Sequence, residues 1–222
     1  MPQISRSNFV DSMMIFLRRD SRVVRTLRLP RHAHVYTTGD RDQRLYFVES
    51  GEVKIILPSA TGRDFLLDVI GPAGVFGESC FTSRRERIES AITREKTILK
   101  TIAYSDMLPL LRQHSLYEPL VRHLTYRIDD LETRIADMAT LNSEMILAKA
   151  LLRLARDEEH GGGIVQLRHR ISQEELAQIA GTTRPRVTRF MRRFRTLGLV
   201  EWDTDRLLTV HVDRIGQFLE KE

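Results

Sequence analysis

The stretch "GTTRPRVTRFMRRF", Gly181 to Phe194, carries five arginines and no acidic residue. Val187, Phe190, Met191 and Phe194 recur at i, i+3, i+4 and i+7, the spacing of a helix with one core-facing stripe. Pro185, Arg189, Arg192 and Arg193 then fall on the far side, with Arg186 and Thr188 on the flanks and Arg184 at the tip. Like charges so spaced destabilise an isolated helix by a few tenths of a kcal/mol per pair. No acid at i±4 on that face offsets them, so the anions are expected from another polymer. Arginine grips the O6/N7 edge of guanine through two hydrogen bonds, and each such pair discriminates by about 1–3 kcal/mol.

Working outward, the flanks complete a helix-turn-helix. Leu176, Ile179 and Ala180 give a short preceding helix its apolar face, and small Ala177 allows a second helix to cross closely. Ser172 with Glu175 three residues on is a capping box that opens that helix. Gly181 stands where the chain must turn sharply, which glycine tolerates best. Thr182 and Thr183 are positioned to cap the second helix. Pro185 sits in its first turn, where a missing N–H is harmless. Downstream, "GLVEWDTDRLLTVHV" reads as strand, turn at Asp203–Asp205 and strand, the hairpin of a winged helix. The DNA-facing set expected from this reading is Ser172, Thr182, Thr183, Arg184, Pro185, Arg186, Thr188, Arg189, Arg192 and Arg193.

Charge distribution agrees. The chain of 222 residues carries a net charge of +5. Between His160 and Val200 eight arginines face two glutamates, a local +6 that leaves the remainder near −1. Basic character confined to one segment is the mark of a docking surface. A lone cysteine, Cys80, excludes an internal disulfide framework and cannot alone hold an iron–sulfur cluster. No long apolar run suggests a membrane span, and a cytoplasmic setting is expected. No Ser-His-Asp order, metal-ligand spacing or paired carboxylates point to an enzyme. The glycines of "HGGG" (160–163) lack a G-x-S-x-G partner and read as a linker after the helix "MILAKALLRLA".

The N-terminal part reads differently. Residues 1–20 suggest a helix with Phe9, Met13, Phe16 and Leu17 on one side. "RLYFVESGEVKIIL" alternates about Ser50-Gly51, a tight turn joining two strands. "FLLDVIGPAGVFGES", "ESAIT" and "TILKTIA" continue the strands, which together suggest a small barrel or jelly roll. A long helix from about Leu120 to Thr140 follows. Tyr117, Val121, Leu124, Ile128, Leu131, Ile135 and Met138 form a heptad seam along it, and Arg127, Asp129, Asp130, Glu132 and Arg134 lie opposite. The seam either packs on its own domain or, as we expect, pairs with a second copy. Asn142-Ser143 then caps a new helix. The expected class is α+β: a jelly-roll or β-roll sensor domain (1–112), a dimerisation helix (113–141) and a winged helix-turn-helix (142–222).

That order of parts resembles the Crp/Fnr family of bacterial transcription regulators over nearly the whole chain. "ISQEELAQIAGTTRPRVTRFMRRFRTLGLV" resembles the family's DNA-binding motif, and "GPAGVFGES" the turn into its phosphate cassette. The resemblance implies a homodimer on a roughly palindromic DNA site, with half-sites about one helical turn apart, and RNA polymerase as a further partner. Arg184 and Arg189 match two of the family's reading positions, but Pro185 replaces the frequent glutamate between them.

The implied effector cassette comprises Gly77, Glu78, Ser79, Cys80, Arg87, Glu89, Ser90 and Ala91, with Leu131 and Glu132 at the place of the adenine-reading pair. Cyclic-nucleotide receptors carry Arg-Ser/Thr-Ala about ten residues after Gly-Glu. Here Glu89-Ser90-Ala91 stand there, a carboxylate where an anion must bind. Arg87 lies two residues earlier and on a strand would share the face of Glu89; only a slipped loop would bring it in. Leu131-Glu132 also lack the adenine-reading hydroxyls. The expectation is therefore no cofactor, cyclic AMP disfavoured, and either another effector or none. His32, His34 and Cys80 are candidates for a haem ligand, and ordinary structural roles suit them better. Cys80 is either a redox-sensitive thiol or a small buried residue. A different reading, a small-molecule sensor acting through a protein partner, would suit a chain without the basic face.

Overall fold

A computed structural model of the chain describes residues 7–19, 23–59, 64–158, 163–168, 170–202 and 207–221. The run "LYFV" shows how its first part is built. It lies in β3 (Arg44–Ser50), whose side chains are buried on both faces. Leu45 and Phe47 point to a cluster with helix α1 (Ser7–Arg19), whereas Tyr46 and Val48 point into a second cluster between sheets. Period-two alternation thus feeds two cores from one strand.

The remaining strands are β1 (Val24–Leu29), β2 (His34–Tyr36), β4 (Val53–Leu57), β5 (Phe65–Ile70), β6 (Val75–Phe76), β7 (Ser90–Thr93) and β8 (Thr97–Ala103). They form two four-stranded antiparallel sheets, ordered β1-β8-β3-β6 and β2-β7-β4-β5. This is the expected jelly-roll architecture. One expectation fails within it: β3 and β4 do not pair across Ser50-Gly51. β3 has β8 on one edge and β6 on the other, so no hydrogen-bonding edge is left for β4. The turn is a corner between sheets. Phe9, Met13 and Leu17 of α1 are buried with Met107 and Leu111 of α2 (Tyr104–Gln113) against the outer face of the first sheet.

Helix α3 (Tyr117–Thr140) follows, and the chain divides within it into two compact units, residues 1–131 and 132–222. In the second unit Asn142 caps α4 (Ser143–Glu158), its Oδ1 accepting from the N–H groups of Glu144 and Met145 at 3.0 Å. Strand β9 (Ile164–Gln166), helices α5 (Gln173–Ile179) and α6 (Arg184–Thr196), strands β10 (Val200–Trp202) and β11 (Leu208–His211), and helix α7 (Val212–Lys221) complete it. The three strands form one sheet, β10-β11-β9. Residues 160–162 and the turn at Asp203–Asp205 lie outside the described residues.

Candidate nucleic-acid interface and effector cassette

The helix-turn-helix is set by local chemistry. Ser172 accepts the N–H of Glu175 at 3.1 Å, and Glu175 Oε2 accepts the N–H of Ser172 at 2.9 Å, so both halves of the capping box are made. Gly181 has φ +58, the left-handed region that its place in the turn demands. Thr183 is the N-cap of α6 but makes no side-chain cap bond, and Thr182 Oγ1 is buried without a hydrogen-bond partner. The expected threonine capping is therefore absent, and the backbone alone turns into the helix. Thr188 Oγ1 donates to Gln173 of α5, which ties the two helices together.

Val187, Phe190, Met191 and Phe194 are all buried in the core of the second unit. Burial of such side chains contributes about 1.5–3 kcal/mol each, enough to fix which way the opposite face looks. There Arg184, Pro185, Arg186, Arg189, Arg192 and Arg193 are exposed. Arg184, Arg186 and Arg192 have no ion-pair partner among the described residues. Arg189 lies over the Phe190 ring, 5.5 Å from its centroid. Arg193 departs from the sequence expectation. Its Nη1 donates to Glu144 Oε2 at 2.8 Å, and its guanidinium lies over Phe218 at 5.6 Å. The acid comes from α4, 49 positions away, and no i±4 inspection of α6 could reveal it.

The β-roll cassette holds a second surprise. Residues 82–89 form no regular element, so Arg87 and Glu89 do not share a strand face. Arg87 instead turns inward and is 2% exposed. Its Nη1 donates to Gly77 O (2.9 Å) and Ser79 Oγ (2.7 Å), and its Nη2 to Asp42 Oδ2 (2.8 Å) and Arg44 O (2.6 Å). Gly77 makes this possible: at φ +91 a Cβ there would stand 2.8 Å from Arg44 O and 3.1 Å from the guanidinium. The guanidinium also lies 4.3 Å from the Tyr36 ring centroid. Burial works against its charge, but Asp42, Tyr36 and Glu89 together outweigh that and raise its pKa.

Glu89 is buried too and accepts the Tyr36 hydroxyl at 3.1 Å. Tyr46 donates to Asp42 Oδ2 at 2.9 Å. Burial, reinforced by those carboxylates, raises both phenols above their ordinary pKa, so both remain donors. Ser90 Oγ accepts the N–H of Thr38 at 3.1 Å, and Ala91 is wholly buried between the sheets. Glu78 Oε1 lies 3.2 Å from Arg127 Nε and 3.6 Å from His123 Nε2, both on α3. Burial pushes its carboxyl pKa up, but His123 and Arg127 together hold it below the ordinary value. Burial pushes the Cys80 thiol up to about 12. Leu131 is half-buried and Glu132 exposed on α3. Sequence reasoning missed Asp42, Tyr36, Tyr46 and His123, and read Arg127 only as part of a polar helix face.

Residues 26–114 match the cyclic nucleotide-binding domain family, and residues 147–215 the Crp-like helix-turn-helix domain. A CRP-like cAMP-activated global transcriptional regulator of Mycobacterium tuberculosis is 30% identical over 194 residues, 85% of each chain. The chain belongs to the Crp/Fnr family of transcriptional regulators. A second Crp relative, the cyclic AMP receptor protein of Thermus thermophilus, is 33% identical over 77% of each chain. Among solved structures, the c-di-GMP-responsive regulator CLP of Xanthomonas campestris superposes with a TM-score of 0.70 at 24% identity, covering 90% of this chain and 98% of that one. A CooA mutant from Carboxydothermus hydrogenoformans gives 0.75 at 20%, covering 92% and 94%. Both show the Crp/Fnr fold. The protein is thus a Crp-like transcriptional regulator with a helix-turn-helix DNA-binding domain, and not an enzyme. No helix among the described residues is long and apolar enough to cross a membrane.

Proposed function

We propose that the protein acts in the cytoplasm as a homodimer on a roughly palindromic DNA site, in partnership with RNA polymerase. The observation that carries this reading is the two-sided character of α6: an apolar stripe buried in the core, and opposite it arginines exposed to solvent. Arg184 and Arg189 read base edges, while Arg186 and Arg192 meet phosphates. Ser172, Thr182, Thr183, Pro185 and Thr188 shape and hold the approach. Arg193 is a brace to Glu144 first. Pro185 offers no acceptor to a cytosine amino group, so the preferred site differs from that of cyclic-AMP receptors.

Dimerisation uses α3. Val121, Ile128 and Ile135 are 60%, 54% and 66% exposed in the protomer, with Tyr117 and Met138 beside them. Leu124 and Leu131 are half-buried on the same helix. A heptad row of large apolar side chains facing water is what a second copy would cover.

The β-roll answers to an effector other than cyclic AMP, or to none. Its buried cation, Arg87, is neutralised by Asp42, Glu89 adds a further carboxylate, and the adenine-reading positions hold Leu131 and Glu132. Calorimetric titration with cyclic AMP tests this part, and micromolar binding would overturn it. For the DNA part, gel shifts across a salt series on a selected site are the test. Arg189→Ala is expected to lose about 1–3 kcal/mol and relax sequence preference. Arg192→Ala is expected to lower the salt slope by about one, and Arg193→Ala to change it less. Parental behaviour of all three variants would remove the assigned face.

A further inference from the structure

Asp42 stands in the β2–β3 connection, and every feature around it is that of a bound anion. Its Oδ2 receives Arg87 Nη2 at 2.8 Å and the Tyr46 hydroxyl at 2.9 Å, and Arg44 Nε stands 3.7 Å from Oδ1. The acceptor is thus shared by a guanidinium and a phenol, with a second guanidinium behind it. The loop that carries Asp42 is also clipped to the backbone of Arg87. Gly39 N–H donates to Arg87 O at 2.8 Å, and Arg87 N–H donates to Asp40 O at 3.0 Å. The pair is therefore positioned by its own main chains, not left to two long side chains finding each other.

Four of the five Arg87 N–H groups are spent: two on backbone carbonyls, one on Ser79 and one on Asp42. The fifth, on Nε, is buried without a partner. A carbonyl oxygen brings only a partial charge, so the full compensating charge on Arg87 is that of Asp42. A cyclic phosphodiester is likewise a monoanion that needs a guanidinium and hydroxyl donors. Brought beside the intact pair it would meet an already neutralised cation and two carboxylates, half-buried Asp42 and buried Glu89, which disfavour it by like-charge repulsion.

We propose that Asp42 is the resident anion of the cassette, holding Arg87 in the place a ligand phosphodiester would take. Taking the negative charge off residue 42 converts this β-roll into one that accepts cyclic nucleotides through their phosphate. The inference rests on the preceding reading that the unaltered protein does not take cyclic AMP.

The test is isothermal titration of the full-length protein, Asp42→Asn, Asp42→Ser and the double variant Asp42→Asn/Arg87→Met with cyclic AMP, cyclic GMP and adenosine. Thermal melts establish that each protein is folded. Asn keeps the size and removes the charge, and Ser keeps a small polar group should Asn distort the loop. Both single variants are expected to bind cyclic AMP and cyclic GMP at least tenfold more tightly than the parent. Adenosine, which lacks the phosphate, should gain nothing, and the double variant should lose the gain. Folded Asp42 variants that bind no better than the parent would overturn the proposal, as would an equal gain for adenosine. Micromolar binding of cyclic AMP by the parent would overturn the pocket reading instead, and equal micromolar binding by parent and Asp42→Asn would overturn both.

Discussion

Arg87 illustrates how little a residue's type settles about its role. By sequence it stands two residues ahead of the ligand-reading position, which Glu89 occupies, and its charge is spent on Asp42, 45 positions away. The carboxylate expected to spoil the cassette, Glu89, is present but bonded to Tyr36. Neither pairing leaves a trace in local periodicity, because both join segments distant in sequence through an irregular loop. Ser172 is the opposite case: its partner Glu175 lies one helical turn away, so the capping box is legible from four letters. Cys80 gives a prediction at this scale. Its thiol is buried and pushed up to about 12, so at neutral pH it is protonated and shielded. Reaction with a chromogenic disulfide reagent should be negligible in the folded protein and rapid after unfolding in guanidinium. Fast labelling of the native protein would instead restore the redox-sensor reading.

At the scale of elements, the helices were far more readable than the strands. The stripe of α6 and the row on α3 announce themselves because a helix repeats its face every three to four residues. β3 is buried on both faces, so its sequence does not say which strands flank it, and the turn at Ser50-Gly51 joins two sheets instead of two paired strands. Arg193 failed for the related reason that its acid sits on another helix. The contact of Glu78 with Arg127 and His123 ties the cassette to α3 and makes a prediction about acid. The folded-state pKa of Glu78 lies below its ordinary value of 4.5. Its contribution is therefore fully present above that value and is lost as pH falls through the lower, folded one. Urea midpoints measured against pH should fall on acidification in that window. Glu78→Gln, with nothing to titrate, should be less stable than the parent at neutral pH and show a flatter acid limb. Parallel acid limbs for the two proteins would sever this link.

For the whole molecule the account requires two copies. Ile128 lies mid-helix in the exposed row of α3, so a charge there would face the partner without disturbing either core. The parent is expected to sediment as a dimer and Ile128→Glu as a single chain at the same concentration, with an unchanged far-ultraviolet dichroism spectrum. Dimeric Ile128→Glu would move the interface elsewhere. The order of parts (β-roll, long helix, winged helix-turn-helix) was legible because each has its own periodicity and turn chemistry. What state the cassette holds was not, since that depends on one loop placing Asp42 against Arg87. The central claim is that the arginine face of α6 enters duplex grooves as a matched pair. Selection from a random duplex pool, followed by sequencing, addresses it most directly. The account predicts enrichment of an inverted repeat with half-site centres about one helical turn apart, and loss of that enrichment in Arg184→Ala/Arg189→Ala. A pool that stays unenriched, or the same site selected by that double variant, would contradict it.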